Sequence, residues 1–346
     1  MPYDFTKDNA QAVLAAIKEA AGEYGKWALE ARKKYVELRL RQDPAIRGLY
    51  VRAADSIAKD LRKLQARTYS DTLQRRHLEE LEASLRREAA RFTDELSGQI
   101  QEAIQEAVNA GTGFSRAVAL DLGKQAGWDG GRLREIFAQV NRQAVEAIWA
   151  RTRDGLYLSD RIWRTGENLR ATMRDIIQEA VAAGQDAVKT SRMLERYVKT
   201  DTRTLAKQYP NMMKRMAGRI PSNITYEALR LARTEATAAF GEGTISAARV
   251  SPSYVGMKWV LSKAHPLPDV CDTLADLDLG LGRGVYPPGE EPPYPAHPNE
   301  LCHLIPVHQQ PEDFVERLKR WKENPELEPE LEKWYNGVYQ GQLHHV

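Results

Sequence analysis

Both cysteines of this 346-residue chain lie in one segment, residues 265–303, and each is close in sequence to a histidine. His265 stands six residues before Cys271, and His297 stands five residues before Cys302. The segment is otherwise rich in Pro, Gly and Asp, so it holds too few aliphatic side chains to close a hydrophobic core alone. A metal ion bound by these four side chains would supply folding energy directly.

Two kinds of chemistry and one purely structural alternative account for these pairs. Thiolate sulfur and imidazole nitrogen bind zinc at roughly 2.0–2.3 Å in tetrahedral structural sites. The second possibility is a disulfide between Cys271 and Cys302, and the third is two buried cysteines beside surface histidines. The N-terminal residues lead into an amphipathic pattern rather than a hydrophobic leader, so we expect a reducing cytoplasm, where disulfides are rare. We therefore predict a Cys2His2 site with structural zinc as its cofactor.

Apolar residues recur every three or four positions through most of the first 250 residues, a spacing typical of amphipathic helices. Asp43-Pro44 is expected to end the first helix, because proline lacks an N–H group and restricts the residue before it. Gly111-Thr-Gly113 is expected to end the third. About 40 helical residues span roughly 60 Å, so such a helix needs a partner along its whole length. The pattern predicts long helices over residues 7–40, 45–68 and 71–110, followed by shorter ones.

The part of the chain after residue 250 has a different pattern. Aromatic and branched residues are concentrated at 254–261 and predict a strand, whereas the Pro- and Gly-rich residues 266–298 predict turns with little regular structure. The predicted fold class is therefore mainly α, with long helices and a small α+β, loop-rich C-terminal subdomain stapled by zinc.

Composition and hydropathy argue against a membrane protein. Hydrophobic residues make up 42% of the chain, and no run approaches the roughly 20 apolar residues that a membrane span needs. A mean hydropathy of −0.56 is typical of long, solvent-exposed helices. We expect a soluble protein with no membrane partner.

The net charge of +2 conceals an asymmetry along the chain. Residues 265–346 carry six Lys/Arg and fifteen Asp/Glu, or −9, which leaves +11 on residues 1–264. A basic helix face can contact a polyanion, so DNA contact is one hypothesis for residues 32–67, and a solvated helix face is the alternative. The candidate DNA-contacting residues are Arg32, Lys33, Lys34, Arg39, Arg41, Arg47, Arg52, Arg62, Lys63 and Arg67.

Several motifs carry a family resemblance. Residues 259–306 contain a Trp-bearing strand, a Cys-bearing segment, then His297-Pro-Asn-Glu-Leu-Cys302 and a hydrophobic-Pro close, while Leu231-Ala-Arg-Thr-Glu235 is followed by Gly241. This pattern resembles the phage Mu F-like head morphogenesis family, the minor head or minor capsid proteins of tailed bacteriophages. Leu158-Ser-Asp-Arg-Ile-Trp163 resembles the family's preceding helical segment. The resemblance covers roughly residues 156–307.

The resemblance also suggests how the chain is divided. The predicted parts are an elongated helical region (1–155), the helical part of a Mu F-like domain (156–250), a strand and loop His/Cys subdomain (251–310) and an acidic tail (311–346). Where many family members read His-Pro-Asn-Cys-Arg-Cys, this chain has Glu300-Leu301 displacing the first cysteine and His303 in place of the second. His303 is therefore a fifth candidate ligand that would replace a lost thiolate, and His308 is a weaker spare.

What the resemblance implies is a structural protein and not an enzyme. It would act in procapsid assembly near the portal, in the capsid interior of the virion, after residing in the host cytoplasm during assembly. Its partners would be the phage portal protein, the major capsid or scaffolding protein, and double-stranded DNA during packaging. The helical regions, the charge asymmetry and the stapled subdomain agree with this expectation.

Two alternatives from other classes stay open. A zinc-dependent hydrolase, either a nuclease or a cell-wall enzyme, would need an open metal position and a nearby carboxylate base, for which Asp269, Asp272 and Glu300 are candidates. The chain has no His-Glu-x-x-His pair to support that alternative. A cytoplasmic DNA-binding assembly factor of no viral origin is the other alternative.

The acidic tail carries apolar residues, including Trp334 and Tyr335, on a segment too short to fold by itself. We expect it either to pack on a partner protein or to wrap back over its own domain, and a frayed terminus is the remaining alternative.

Overall fold

The computed structural model describes residues 7–68, 75–200, 202–216, 218–262 and 268–341. Helices make up 75% of it, beside a small three-stranded sheet, which confirms the predicted mainly α class with a small C-terminal α+β part. The helices before the sheet are α1 (Lys7–Ala21), α2 (Gly25–Thr68), α3 (Arg75–Ala126), α4 (Gly130–Ala150), α5 (Leu158–Ala182), α6 (Ala187–Lys199), α7 (Thr202–Gln208), α8 (Pro210–Arg215) and α9 (Tyr226–Arg249).

The first helical break does not fall at Asp43-Pro44, and this prediction was wrong. The chain breaks earlier, in a 3-10 turn at Gly22–Tyr24 where Gly22 has a φ of 55°, and α2 then continues through Pro44. Proline removes one N–H and frees the carbonyl of Leu40, which lies four residues earlier. Leu40 is 62% exposed, so water can hydrogen-bond that carbonyl, while buried residues on either side of Pro44 hold the helix together.

The predicted end of a helix at Gly111-Thr-Gly113 was also wrong, because α3 continues to Ala126. Gly111 lies against α9, where a Cβ atom at this position would stand 2.2 Å from the carbonyl oxygen of Phe240. On the other side of the same crossing, a Cβ at Gly243 would stand 2.7 Å from the carbonyl oxygen of Val108. These glycines therefore permit a close helix crossing rather than ending a helix.

The described chain forms two compact units, and each draws on segments that are far apart in sequence. The first comprises residues 1–39, 103–149 and 233–346, and the second comprises residues 40–102 and 150–232. The predicted division into consecutive parts at residues 155, 250 and 310 stays a prediction. In the second unit, Tyr50 of α2 and Phe92 of α3 meet with ring centroids 4.6 Å apart within a core of aliphatic side chains.

The sheet belongs to the first unit and has the strand order β2-β1-β3, with both pairs antiparallel. Strand β1 (Tyr254–Val260) confirms the predicted strand, and β2 (Val285–Tyr286) and β3 (His303–His308) flank it. Trp259 of β1 lies opposite Leu304 of β3, and Met257 lies opposite Tyr286 of β2. The segment predicted to form turns with little regular structure contains a short helix, α10 (Val270–Asp276).

The C-terminal tail wraps back over its own unit. Helix α11 (Pro311–Glu323) buries Phe314 and Leu318, and α12 (Pro329–Trp334) buries Leu331, in the same core as residues of α1 and α3. Trp334 packs on Trp128 with ring centroids 5.0 Å apart and donates a hydrogen bond from Nε1 to the carbonyl of Val250 at 2.8 Å. Of the alternatives for the tail, the structure shows the one in which it packs on its own domain, through residue 341.

His308, at the end of β3, is a buried titratable group of this core. Its Nδ1 lies 3.0 Å from the hydroxyl of Ser253 and its Nε2 lies 3.2 Å from the hydroxyl of Ser115. Burial lowers the pKa of His308 to about 3. The folded chain therefore holds this imidazole neutral, whereas the unfolded chain protonates it near its ordinary pKa of about 6.5.

From this shift we expect stability to fall in acid. The contribution of neutral His308 is fully present above about pH 6.5 and is lost as the pH falls from there toward 3, by up to about 1.4 kcal/mol per pH unit. His308→Gln should flatten this dependence, because glutamine offers a donor and an acceptor without titrating. Urea unfolding of both proteins near pH 7.5 and near pH 5 measures the effect, and equal pH slopes would contradict it. Burial, and to a smaller extent the charge of Arg32, also lower the pKa of His303. His303 therefore adds a loss of stability in acid that is the same in the original chain and in His308→Gln.

Candidate metal centre

Potential metal ligands converge where α10 meets the segment before β3. Cys271, Glu300 and Cys302 are all buried and form one group, and Asp269, Cys271 and His297 form an overlapping group; within each group the ligand atoms lie within 4.8 Å of one another. The Sγ atom of Cys271 is 3.3 Å from Nε2 of His297 and 3.4 Å from Oε2 of Glu300. These Cys, His, Asp and Glu side chains could hold a metal ion. In the sequence, Glu300 is a candidate only as the base of a hydrolase.

His297 is oriented as metal-binding histidines usually are. Its Nδ1 lies 3.0 Å from the carbonyl oxygen of Pro298, so Nδ1 carries the proton and donates it to that oxygen. The lone pair of Nε2 then faces the cluster, where Oδ2 of Asp269 is 3.3 Å away and Oε2 of Glu300 is 3.5 Å away. A backbone carbonyl that sets the tautomer in this way makes the other nitrogen the one whose lone pair can bind a cation.

Glu300 brings a negative charge into a fully buried position, with a side-chain exposure of 0%. Its Oε1 accepts hydrogen bonds from the backbone N–H groups of Leu301 and Cys302, each at 2.9 Å. Its Oε2 faces the thiol of Cys271 and the imidazole of His297. A buried carboxylate is costly unless a positive charge compensates it. A cation held between these side chains would provide that charge.

The same buried environment raises the pKa of both thiols. Burial raises the pKa of Cys302 to about 12, and it raises the pKa of Cys271 further, with the charge of Glu300 as the next cause. Both cysteines are free thiols, so the disulfide considered for them is not present in the structure. Binding a metal ion would convert these thiols to thiolates, because the ion offsets the charge that burial disfavours.

Local sequence explains how the ligands are positioned. Asp269 is the N-cap of α10: its Oδ1 accepts from the backbone N–H of Cys271 at 2.7 Å, and its own N–H donates to Asp272 at 2.8 Å. Asp272 is thereby used in a capping box. On the other side, the N–H of Ser262 after β1 approaches Sγ of Cys302 at 3.4 Å. The cluster therefore ties α10 and the ends of β1 and β3 to a core that includes Trp259 and Leu304.

Of the five candidate ligands, Cys271 lies with His297 in one group and with Cys302 in the other. His265 lies outside the described residues. His303 lies outside the cluster, because successive residues of a strand point to opposite faces and it directly follows Cys302. It lines a cavity of about 20 Å³, and neither of its ring nitrogens has a hydrogen-bond partner among the described residues. His308, the spare, bonds to two serines instead.

Glu300 is a potential ligand that was not predicted from the sequence, although a signal for it is present there. In the family element His-Pro-Asn-Cys-x-Cys, a residue-by-residue match from His297 places Glu300 at the first cysteine position and Cys302 at the second. The earlier assignment of the second position to His303 was therefore off by one residue. Asn299, at a φ of 58°, makes the left-handed turn between His297 and Glu300.

Most of the candidate DNA-contacting residues on α2 have partners within the protein. Arg39 donates from Nη1 to Tyr35 Oη, Thr237 Oγ1 and the carbonyl of Arg233, and Arg47 donates to Thr225. The guanidinium of Arg32 stacks over the ring of Tyr35 at 5.2 Å, Arg41 is exposed, and the side chain of Arg67 lies outside the description. Five others form ion pairs: Lys33 with Glu37, Lys34 with Glu30, Arg52 with Glu95, Arg62 with Glu195, and Lys63 with Asp60.

Comparison with protein-family models, with curated proteins and with solved structures finds no match to this chain. Among the helices that the structure describes, none combines the length and the apolar composition needed to cross a membrane.

Proposed function

We propose that the cluster holds a structural zinc ion. Two thiolates, an imidazole and a carboxylate make four donors of the types that zinc prefers, and a four-donor protein set is typical of structural rather than catalytic sites. Cys271, Glu300 and Cys302 are buried, and His297 is already oriented by Pro298. The ion would add folding energy to a Pro- and Gly-rich segment that contributes few side chains to the hydrophobic core.

We further propose that the chain is a structural minor head protein of a tailed bacteriophage, acting in procapsid assembly near the portal. The resemblance carries this proposal, and one observation strengthens it: its two separated motifs meet in the fold. A Cβ at Gly241 on α9 would stand 2.1 Å from the ring of Tyr294, and the N–H of Asn299 lies 3.5 Å from Oγ1 of Thr234. The helix motif and the His/Cys motif thus form one packed element.

The partners that we propose are the portal protein and the major capsid or scaffolding protein, with double-stranded DNA as a further contact. The test is mass-spectrometric counting of this chain in purified phage particles and in empty procapsids from one lysate. We expect a few to a few tens of copies per particle, recovered together with the portal. Absence from both kinds of particle would overturn the proposal.

A second candidate function is a zinc-dependent hydrolase, and one observation supports it. The side chain of Asp269 is 40% exposed, and its Oδ2 lies 3.3 Å from Nε2 of His297, so a carboxylate stands at the solvent side of the cluster. Catalytic zinc sites keep a position open for water and use a carboxylate as base. Metal-loaded protein that cleaves duplex DNA or cell-wall material, and loses cleavage but not metal in Asp269→Asn, would favour this candidate.

A further inference from the structure

Helix α6 of the second unit carries a row of basic side chains on one face. Lys189, Arg192, Arg196 and Lys199 are all exposed and are spaced by three, four and three residues, which places them on one side of a helix. The other side buries Met193, Leu194 and Tyr197, among others. The only acidic residue of this helix, Glu195, forms an ion pair with Arg62.

The basic surface continues onto the next two helices, since α7 packs on α6 and α8 packs on α7. Arg196 donates from Nη1 to Oε1 of Gln208 at the end of α7, at 2.5 Å, so the two helices are linked at this surface. From Ala187 to Arg219 the sequence has nine Lys/Arg and two Asp/Glu. We call the exposed basic residues of this stretch the α6–α8 surface: Lys189, Arg192, Arg196, Lys199, Arg203, Lys207, Lys214, Arg215 and Arg219.

This surface differs from the basic run of α2 in how its charges are compensated. Arg215 and Arg219 pair with Glu179, and Arg219 also with Asp175. Five others have no ion-pair partner among the residues that the structure describes: Lys189, Arg192, Lys199, Lys207 and Lys214. On α2, by contrast, five of the ten candidates are paired with acidic side chains. Uncompensated cations release counterions when they meet a polyanion, which is the main source of affinity for nucleic acids.

We infer that the α6–α8 surface binds the phosphate backbone of double-stranded DNA without sequence preference. Residues 189 to 199 cover about 15 Å of helix, and the same length of duplex carries about nine phosphates. No large apolar side chain between residues 187 and 219 is strongly exposed in the described part, so the surface lacks the anchors typical of protein interfaces. The inference rests on the proposed function only in taking packaged DNA as the source of the duplex.

The test compares two triple variants of the full chain that lose the same charge. Lys189→Gln/Arg192→Gln/Lys199→Gln removes three unpaired cations of the surface, and Lys33→Gln/Lys34→Gln/Lys63→Gln removes three exposed cations of α2 that are ion-paired. Binding to a fluorescent duplex of about 25 base pairs is followed by anisotropy over a range of salt concentrations. Circular dichroism confirms that both variants are folded.

We expect the α6 triple variant to bind at least tenfold more weakly at moderate salt. The slope of log K against log salt should fall in magnitude by about 2.7, since each lost phosphate contact removes about 0.9. The α2 variant should stay within about threefold of the original chain. Equal losses in both variants, or no binding by the original chain at low salt, would overturn the inference. Neither outcome changes the number of copies found in phage particles. Failure of the DNA-binding inference can therefore be distinguished from failure of the minor head protein proposal.

Discussion

Glu300→Gln is expected to weaken the binding of the proposed zinc ion and to destabilise the first unit. The substitution keeps the size of the side chain but removes the charge that a cation would neutralise. We expect metal affinity to fall by about 100-fold, equivalent to about 2.7 kcal/mol of stabilisation of the folded state. Metal content is measured by elemental mass spectrometry after gel filtration, and stability by thermal unfolding with and without a chelator.

The direction in which Glu300→Gln changes stability shows whether the cluster binds a cation. If the cluster binds no cation, Glu300 is a buried carboxylate between two thiols that burial keeps protonated, and neutralising it would leave stability unchanged or raise it. Glu291→Gln is the matched control, because Glu291 is also a buried carboxylate of this unit and is compensated by Arg249 at 2.6 Å. It should lose some stability while keeping the metal content of the original chain. A more stable Glu300→Gln protein would contradict the zinc proposal.

Gly111→Ala and Gly113→Ala are expected to change stability in opposite directions, although both replace a glycine inside α3. A methyl group at Gly111 would stand 2.2 Å from the carbonyl oxygen of Phe240 and 3.0 Å from the N–H nitrogen of Thr244. These are backbone atoms of α9, so the two helices must separate. Overpacking of this kind costs about 1–3 kcal/mol or more, and we expect the upper end because no side chain can move aside.

At Gly113 nothing lies within 4 Å of the position that a Cβ would take. Alanine there should raise the free energy of unfolding by up to about 1 kcal/mol, because glycine is a poor helix former. Urea unfolding of both variants, followed by tryptophan fluorescence, measures the difference. If Gly111→Ala proves as stable as Gly113→Ala, the close crossing of α3 and α9 is incorrect.

These glycines show why element boundaries were harder to predict than element types. The three-to-four spacing correctly indicated helices, and the β-branched and aromatic residues indicated β1. Pro44 and Gly111 were expected to break helices because their intrinsic propensities oppose them. In the fold, the solvent-exposed position of Leu40 and close packing at Phe240 outweigh those propensities. Neither compensation can be recognised before the neighbouring helix and the solvent are known.

The candidate metal centre was likewise predicted only in part from the sequence. The sequence by itself determined a mainly helical chain and a His/Cys cluster in a segment without a core of its own, because periodicity and ligand types are local properties. Only the tertiary structure decided that Glu300 and Asp269 join Cys271, His297 and Cys302, and that His303 faces away. It also decided which basic residues pair between elements, since Arg52 of α2 meets Glu95 of α3 and Arg62 of α2 meets Glu195 of α6. Proximity between residues distant in sequence depends on how the elements pack, which local patterns do not encode.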